Sequence, residues 1–310
     1  MKTLAKTTIA GMVGRLPWGA RRTILETLIR QFSPENVFAD FCRTPQMRGL
    51  TVVGENGFVE GPIGDRIVIW RYAARGTWAS ATVNLFREFF TPQTSGTFID
   101  IGANVGLSLL PIAKLGTVAC HAFEPEPENF RFLRRNVLTA GVSPRCQLHQ
   151  VALFDKSGEI DFAVSALNAG AHRITAAADG LEDHHWRTIK VKAYSLDSYL
   201  QTEKLASPLG IKIDAEGGEA AILRGGRNML SRAGLLIFEF SPSTIHRVGA
   251  DGREFTRFLR DNFREATIYS DDAGITDIQF KNIEAATAEM ERLMTDPAVG
   301  SRYFDIAARK

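Results

Sequence analysis

The stretch FIDIGANVGLSLLPIAKLG, from Phe98 to Gly116, decides the fold of this chain. It is typical of a short apolar strand that ends in an acid, followed by a turn with two glycines and then by a helix. Gly102 and Gly106 allow a tight turn and a close approach of the backbone, and the following helix start presents free N–H groups. The stretch therefore predicts a strand–turn–helix unit that holds a charged or polar ligand.

The alternation of strands and helices continues from this unit towards the C-terminus. Strands are predicted at 118–125, 146–154, 208–217, 234–242, 265–270 and 275–280. Helices are predicted at 107–116, 127–141, 219–231 and 254–263. Alternation of this kind predicts an α/β fold with a mostly parallel, Rossmann-like sheet and helices on both faces. Ligands of such sheets bind at the carboxyl ends of the strands, near the point where the strand order reverses.

Upstream of the alternating region, residues 1–94 are predicted to form an extension that acts as a lid or as an oligomer contact. Residues 20–33 have the spacing of an amphipathic helix, and residues 79–90 that of a second helix. Residues 50–59 and 65–72 alternate as the strands of a β-hairpin, with GPIGD as its turn. The main domain is then expected at 95–310, with a β-rich insertion near 158–194.

Composition and charge limit the class of protein. The chain has 45% hydrophobic and 23% charged residues, which is typical of a soluble globular protein. A net charge of +2 gives no reason to expect a nucleic-acid partner. Cys42, Cys120 and Cys146 are widely spaced and form no CxxC pair, which indicates neither a disulfide scaffold nor a structural zinc site. No apolar run reaches the ~20 residues that span a bilayer. We expect a cytoplasmic protein without a transmembrane segment, and a homodimer is possible.

The residues at the first three strand ends indicate the ligand. Asn104 stands where a nicotinamide or flavin fingerprint has its middle glycine, and Asp100 would repel a pyrophosphate but suits an amino-acid ammonium group. Glu124, at the next strand end, can accept hydrogen bonds from both hydroxyls of a ribose. The backbone around Ala152 and Asp155 is placed to frame an adenine. Amino acid, ribose and adenine together describe S-adenosylmethionine. The predicted cofactor-binding residues are Asp100, Gly102, Asn104, Gly106, Glu124, Ala152 and Asp155.

Five motifs in this order resemble a known family. They are FIDIGANVG (98–106), HAFEPEPENFRFLRRN (121–136), VALFDKSGEI (151–160), YSLDSYL (194–200) and IKIDAEGGEAAILRGG (211–226). Over roughly residues 95–240 the sequence resembles the FkbM-type methyltransferases of the S-adenosylmethionine-dependent, Rossmann-like superfamily. The resemblance implies a methyltransferase sheet and the transfer of a methyl group to a hydroxyl, typically on a sugar, a polyketide or another secondary metabolite. It leaves the acceptor open.

The strand that contains IKIDAEG carries the predicted catalytic residues. Lys212 and Asp214 point to one face of the sheet. A lysine is costly to bury unpaired, so we expect Lys212 to meet Asp214, Glu239 or both, in a structural ion pair or in a catalytic site. Asp214 is the first choice for the base that takes the hydroxyl proton, with Glu216 or Glu239 orienting the acceptor. His246, after the next strand, is a further candidate base.

Three alternatives stay open at this stage. Asp214, Glu216 and Glu239 could instead hold a hard metal cation, although we predict no metal. A nicotinamide-dependent oxidoreductase would have a similar sheet. A non-catalytic cofactor-binding module could act through a basic N-terminal helix on a membrane or a protein partner. The expected substrate of the methyltransferase is a hydroxyl of a small metabolite or of a glycosyl group.

Overall fold

A computed structural model describes residues 49–175, 186–270 and 278–310, and these residues carry every structural statement below. The helix predicted at 20–33 and Cys42 lie outside the described residues, as does the first half of the strand predicted at 275–280, and the described residues 278–280 form no strand. None of the helices in the described ranges is long and apolar enough to cross a membrane.

The described residues form fourteen strands and ten α-helices. The strands are β1 (Gly49–Gly54), β2 (Gly57–Pro62), β3 (Gly96–Ile101), β4 (Val118–Phe123), β5 (Cys146–His149), β6 (Ala152–Phe154), β7 (Gly158–Ser165), β8 (Arg173–Ile174), β9 (Trp186–Ser195), β10 (Leu209–Ile213), β11 (Ala233–Phe240), β12 (Glu265–Tyr269), β13 (Lys281–Asn282) and β14 (Phe304–Arg309). The helices are α1 (Val68–Arg75), α2 (Ser80–Phe90), α3 (Leu109–Ala113), α4 (Pro127–Thr139), α5 (Leu196–Tyr199), α6 (Glu219–Gly225), α7 (Arg227–Ser231), α8 (Pro242–Arg247), α9 (Arg253–Asn262) and α10 (Ile283–Thr295).

An eight-stranded sheet forms the centre of the molecule, in the order β5–β4–β3–β10–β11–β14–β12–β13. The pairs from β5 to β11 are parallel, and β14 runs antiparallel between β11 and β12. After β3, the chain adds β4 and β5 to the sheet on one side of β3, and later β10 and β11 on the other side. The strand order therefore reverses beside β3, and a ligand crevice is expected at the carboxyl ends of β3 and β10. The predicted α/β fold with a mostly parallel sheet is confirmed.

Alternate residues of the central strands enter two hydrophobic cores, one on each face. Ile99 and Ile211 pack into a core with residues of α6, α7, α9 and α10. Phe98 and Leu235 pack into the other core, with residues of α1, α2, α3 and α4. Both faces of the sheet are thus covered, which is why its strands are continuous apolar runs in the sequence.

The strand predicted at 146–154 divides between two sheets. Residues of β5 pair with β4 in the central sheet, whereas β6 pairs with β9 in a separate four-stranded sheet of order β6–β9–β7–β8. Gln150 and Val151 separate the two strands, which turns the chain out of the central sheet. This small sheet has its own apolar core, including Phe162 and Val191. It stands beside the carboxyl edge of the central sheet and contributes to the cavity described below.

The predicted hairpin exists, but its boundaries were wrong. Its strands β1 and β2 are joined at Glu55 and Asn56, so GPIGD is not the turn. Residues from 68 onwards form α1 instead of a second strand, because the carboxylate of Asp65 accepts hydrogen bonds from the N–H groups of Ile67, Val68 and Ile69 and caps the helix start. The division into an extension at 1–94 and a main domain at 95–310 stays a prediction.

Candidate active site

A cavity of about 560 Å³ opens at the carboxyl edge of the central sheet, where the strand order reverses. Its size is typical of a site for a drug-sized ligand. Eight of the predicted site residues line it: Gly102, Asn104, Glu124, Ala152, Lys212, Asp214, Glu216 and Glu239. The other four, Asp100, Gly106, Asp155 and His246, do not.

The turn after β3 is held in a left-handed conformation. Gly102, Asn104 and Gly106 have φ values of 77°, 51° and 96°. A Cβ atom on Gly102 would overlap the backbone carbonyl oxygen of Asp214, so a glycine is required where the ends of β3 and β10 approach each other. Gly106 faces Leu133 of α4 instead of the cavity, and its role is therefore the packing of the turn on that helix.

Glu124 lies on the floor of the cavity at the end of β4, with 5% of its surface exposed. Its two carboxylate oxygens accept hydrogen bonds from the backbone N–H groups of Asn104 (2.9 Å) and Glu126 (2.8 Å). Burial raises the pKa of Glu124 to about 8 in spite of these two donors. Each carboxyl oxygen keeps a second lone pair, so the side chain can also accept from ligand hydroxyls.

Asp100 does not face the cavity, which corrects the prediction that it meets the ammonium group of a ligand. The side chain is fully buried, and its counterion is Lys212, with 3.3 Å between Nζ and Oδ1. Lys212 also lies 3.3 Å from Asp214, as predicted, and the described residues include no ion pair between Lys212 and Glu239. Burial alone would lower the pKa of Lys212. The nearby carboxylates of Asp100 and Asp214 together have the larger effect and raise the pKa of the lysine.

Carboxylates from two neighbouring strand ends converge in the cavity. Oxygen atoms of Asp214, Glu216 and Glu239 lie within 4.8 Å of one another. Burial and the charge of Asp214 raise the pKa of Glu216 to about 8, although Arg173 lies 3.7 Å away. Burial and the neighbouring acids raise the pKa of Glu239 well above its usual range. Carboxyl groups with such pKa values can exchange a proton near neutral pH. Their spacing would also suit a hard cation, and the predicted absence of a metal stays a prediction.

Two predicted residues lie away from the cavity. The exposed His246 is on α8, directed away from the cavity lining. Asp155 follows β6, and its backbone lies beside Gly225 of α6, outside the cavity lining, whereas Ala152 lines the cavity; that the backbone around these two residues frames an adenine stays a prediction. The neighbouring wall is instead apolar, and it consists of Val151, Leu153, Ile160 and Phe162 together with Ala152. An apolar wall of this kind suits a flat aromatic ring.

Backbone strain in the described residues is concentrated at the cavity. Ala79, Asn104 and Glu216 are the non-glycine residues with positive φ in the described ranges, and all three line the cavity. Left-handed backbone at such residues costs free energy and clusters at ligand-binding sites. Ala79 was not predicted as a site residue, because no local sequence pattern marks an alanine with positive φ.

His172 also lines the cavity, but it is no candidate base. Its Nδ1 accepts a hydrogen bond from the backbone N–H of Ser165 over 3.1 Å. Burial, with the charges of Arg187 and Arg173, lowers the pKa of His172 to about 4. The ring is therefore neutral at physiological pH, with its remaining proton on Nε2. The carboxylates of the cavity are therefore the candidate bases.

Comparisons with known proteins agree with this geometry. The family model of a methyltransferase FkbM domain matches residues 100–267. The hexuronic acid methyltransferase AglP of Haloferax volcanii is 28% identical over 163 residues, which are 52% of this chain and 59% of that protein. The 2-O-methyltransferase NoeI of Sinorhizobium fredii is 28% identical over 164 residues, which are 48% of this chain and 64% of that protein. The chain therefore spans about 60% of the length of these curated relatives.

Among solved structures, a putative O-methyltransferase from Klebsiella pneumoniae is similar to part of the chain. It is 14% identical, and the match covers 76% of this chain and 83% of that one, with a TM-score of 0.40.

Proposed function

Since the chain belongs to the FkbM methyltransferase family, we propose that it transfers a methyl group from S-adenosylmethionine to a hydroxyl of a small metabolite or sugar. The observation that carries the proposal is the continuous cavity from Glu124, at the end of β4, to the carboxylates of Asp214, Glu216 and Glu239. One end has the chemistry to bind a ribose, and the other has groups that can take a proton. The two ends meet across the turn after β3.

The residues at the β4 end fit the cofactor. Glu124 can accept hydrogen bonds from ribose hydroxyls, and the apolar wall around Ala152 can enclose the adenine. Oδ1 of Asn129 is buried in the same lining without a hydrogen-bond partner, so a ligand donor would satisfy it. When bound, the cofactor supplies an electrophilic methyl group on a cationic sulfonium. Gly102 lets the end of β3 lie directly against the backbone of Asp214, which joins the two ends of the cavity.

At the other end, Asp214 is the proposed proton acceptor. Its carboxylate is 43% exposed towards the cavity and is held by Lys212 from below. Glu216 and Glu239 orient the acceptor hydroxyl and share the proton, since a pKa of about 8 makes the neutral form of Glu216 accessible at physiological pH and burial raises the pKa of Glu239 as well. Methyl transfer requires in-line alignment, so orientation supplies much of the rate. His246 has no part in this mechanism.

The acceptor end of the cavity suits a polyhydroxylated substrate. Beyond Glu239, its lining contains the hydroxyl side chains of Ser241, Ser243, Thr244 and Tyr303. Such groups both donate and accept hydrogen bonds, as recognition of several sugar hydroxyls requires. The names of the two curated relatives, one for hexuronic acid and one for 2-O-methylation, support a sugar as the acceptor.

A methyl-transfer assay tests the proposed function. The protein is incubated with S-adenosylmethionine labelled in the methyl group and with a panel of free and glycosidically linked sugars. We expect label on one hydroxyl of an accepted sugar, S-adenosylhomocysteine in equal amount, and no transfer to the analogue that lacks this hydroxyl. Binding of the cofactor without transfer to any acceptor of the panel would favour the non-catalytic module. Family membership already argues against the oxidoreductase.

A further inference from the structure

Asp65 is a buried acid far in sequence from the motifs of the site. Only 2% of its surface is exposed, and it is not one of the residues that line the cavity. Three of its hydrogen bonds cap α1, with distances of 3.0 Å to the N–H of Ile67, 3.2 Å to that of Val68 and 2.9 Å to that of Ile69. The fourth comes from the N–H of Ala169, at 3.1 Å. Asp65 therefore does more than cap a helix.

Ala169 connects this acid to the cofactor turn. Its carbonyl oxygen accepts hydrogen bonds from Nδ2 of Asn104 (2.8 Å) and from Nδ2 of Asn129 (3.1 Å). The backbone N–H of Asn104 in turn donates to Glu124. An unbroken series of contacts thus runs from Asp65 through Ala169 and Asn104 to Glu124.

The segment that Asp65 holds forms part of the cavity wall. Residues 168–173 all line the cavity. The residue before them, Leu167, is held as well, because its carbonyl oxygen accepts a hydrogen bond of 2.8 Å from the backbone N–H of Arg66. Two consecutive residues of the N-terminal extension, Asp65 and Arg66, therefore fasten this wall segment. Each fastened group is backbone, so the contacts fix the path of the chain and not only a side chain.

We propose that Asp65 is a positioning residue for cofactor binding. It holds the 167–173 segment against the turn after β3, and through Ala169 it orients the amide of Asn104 and the backbone N–H that meets Glu124. The inference rests on the proposed function, because it takes the cavity to bind S-adenosylmethionine. It assigns to the N-terminal extension a defined part in the cofactor site.

A positioning role has a kinetic signature that a general loss of stability lacks. Asp65 holds the wall segment at Ala169, beside Asn104 and Glu124, whereas the contact of this segment with Glu216 is made by Arg173, four residues further along the chain. Loss of Asp65 is therefore expected to weaken cofactor binding and to leave the chemical step intact. We expect the KM for S-adenosylmethionine to rise while kcat at saturation is unchanged within about twofold.

The test measures the Kd of S-adenosylhomocysteine by calorimetry for the wild type and for Asp65→Asn. Asparagine has the shape of aspartate, but its NH₂ group cannot accept from the N–H donors that the carboxylate oxygens hold. We expect the Kd to rise by about tenfold or more, which is the usual effect of losing a hydrogen bond to a charged acceptor. Asp251→Asn is the matched control, because Asp251 also accepts the N–H at the start of a helix, α9, and is remote from the cavity. Its Kd should equal that of the wild type. An unchanged Kd for Asp65→Asn would overturn the proposal.

A second variant separates positioning from folding. Asn104→Gly removes the amide that reaches Ala169 and tolerates the left-handed φ of 51°. If Asp65 acts through Asn104, the Kd of the double variant should be close to the Kd of whichever single variant binds S-adenosylhomocysteine more weakly. Fully additive losses would contradict the connection. Absence of binding by the folded wild type would instead contradict the proposed function itself.

Discussion

The Asp214→Asn variant is expected to fold like the wild type and to lose about 10²- to 10⁴-fold in kcat, the usual contribution of a general base. Asparagine has the shape of aspartate but cannot take the proton of the acceptor hydroxyl. Lys212 keeps its ion pair with the buried Asp100, so the contacts beneath the cavity survive the change. The measurement is kcat with a sugar acceptor identified by the labelled assay, together with thermal unfolding of both proteins.

Asp161→Asn is the control for this experiment, since Asp161 is an exposed carboxylate that pairs with Lys190 on the small sheet. Its kcat should be unchanged. Glu216→Gln provides the decisive comparison, because Glu216 is the neighbouring carboxyl with a pKa of about 8. If Asp214→Asn kept full activity while Glu216→Gln lost it, the proton acceptor would be Glu216 and the assignment of Asp214 would be wrong.

Lys212→Met should lower the free energy of unfolding by about 3–5 kcal/mol, the usual cost of removing one partner of a buried ion pair. The lysine is the ion-pair partner of Asp100, whose side chain is fully buried and has no hydrogen-bond partner for either carboxylate oxygen. Methionine fills the space but leaves that carboxylate without a counterion. Denaturant unfolding of the wild type and the variant measures the difference.

Two further variants make this prediction specific. The change Lys190→Met breaks the exposed pair with Asp161 and should leave the unfolding midpoint where it is. Adding Asp100→Asn to Lys212→Met removes the uncompensated charge and should recover part of the loss. A Lys212→Met protein as stable as the wild type would show that Asp100 is neutral in the folded state and that the pair is not ionic.

The central sheet could be predicted from the sequence because parallel strands buried on both faces are apolar runs that alternate with helices. β14 was missed, since its six residues, FDIAAR, begin near an acid and end in an arginine and have no helix–strand context of their own. The hairpin was misplaced because a cap from Asp65 outweighs the alternation of residues 65–72. The pairing of β14 with β11 joins residues distant in sequence, whereas the cap from Asp65 is a local contact that the alternation pattern concealed.

The site was predictable where a side chain belongs to a strand end. Glu124 and Asp214 directly follow β4 and β10, and Glu239 is the penultimate residue of β11, so the sheet alone brings them to one edge. Asp155 and His246 lie beyond the strand ends, where the path of a loop or a short helix decides whether a residue reaches the cavity. The path of the wall segment that Asp65 fastens depends on a contact across 104 residues, which no local pattern reveals.

The claim that this cavity binds S-adenosylmethionine is tested most directly by calorimetric titration of S-adenosylhomocysteine into the wild type and into Glu124→Ala. We expect clear binding by the wild type and a loss of about 1–3 kcal/mol of binding free energy in the variant, through the missing hydrogen bonds to the ribose. Glu128→Ala, which changes an exposed acid in the first turn of α4, should bind like the wild type. A folded wild type that does not bind, or a Glu124→Ala protein that binds equally well, would contradict the account.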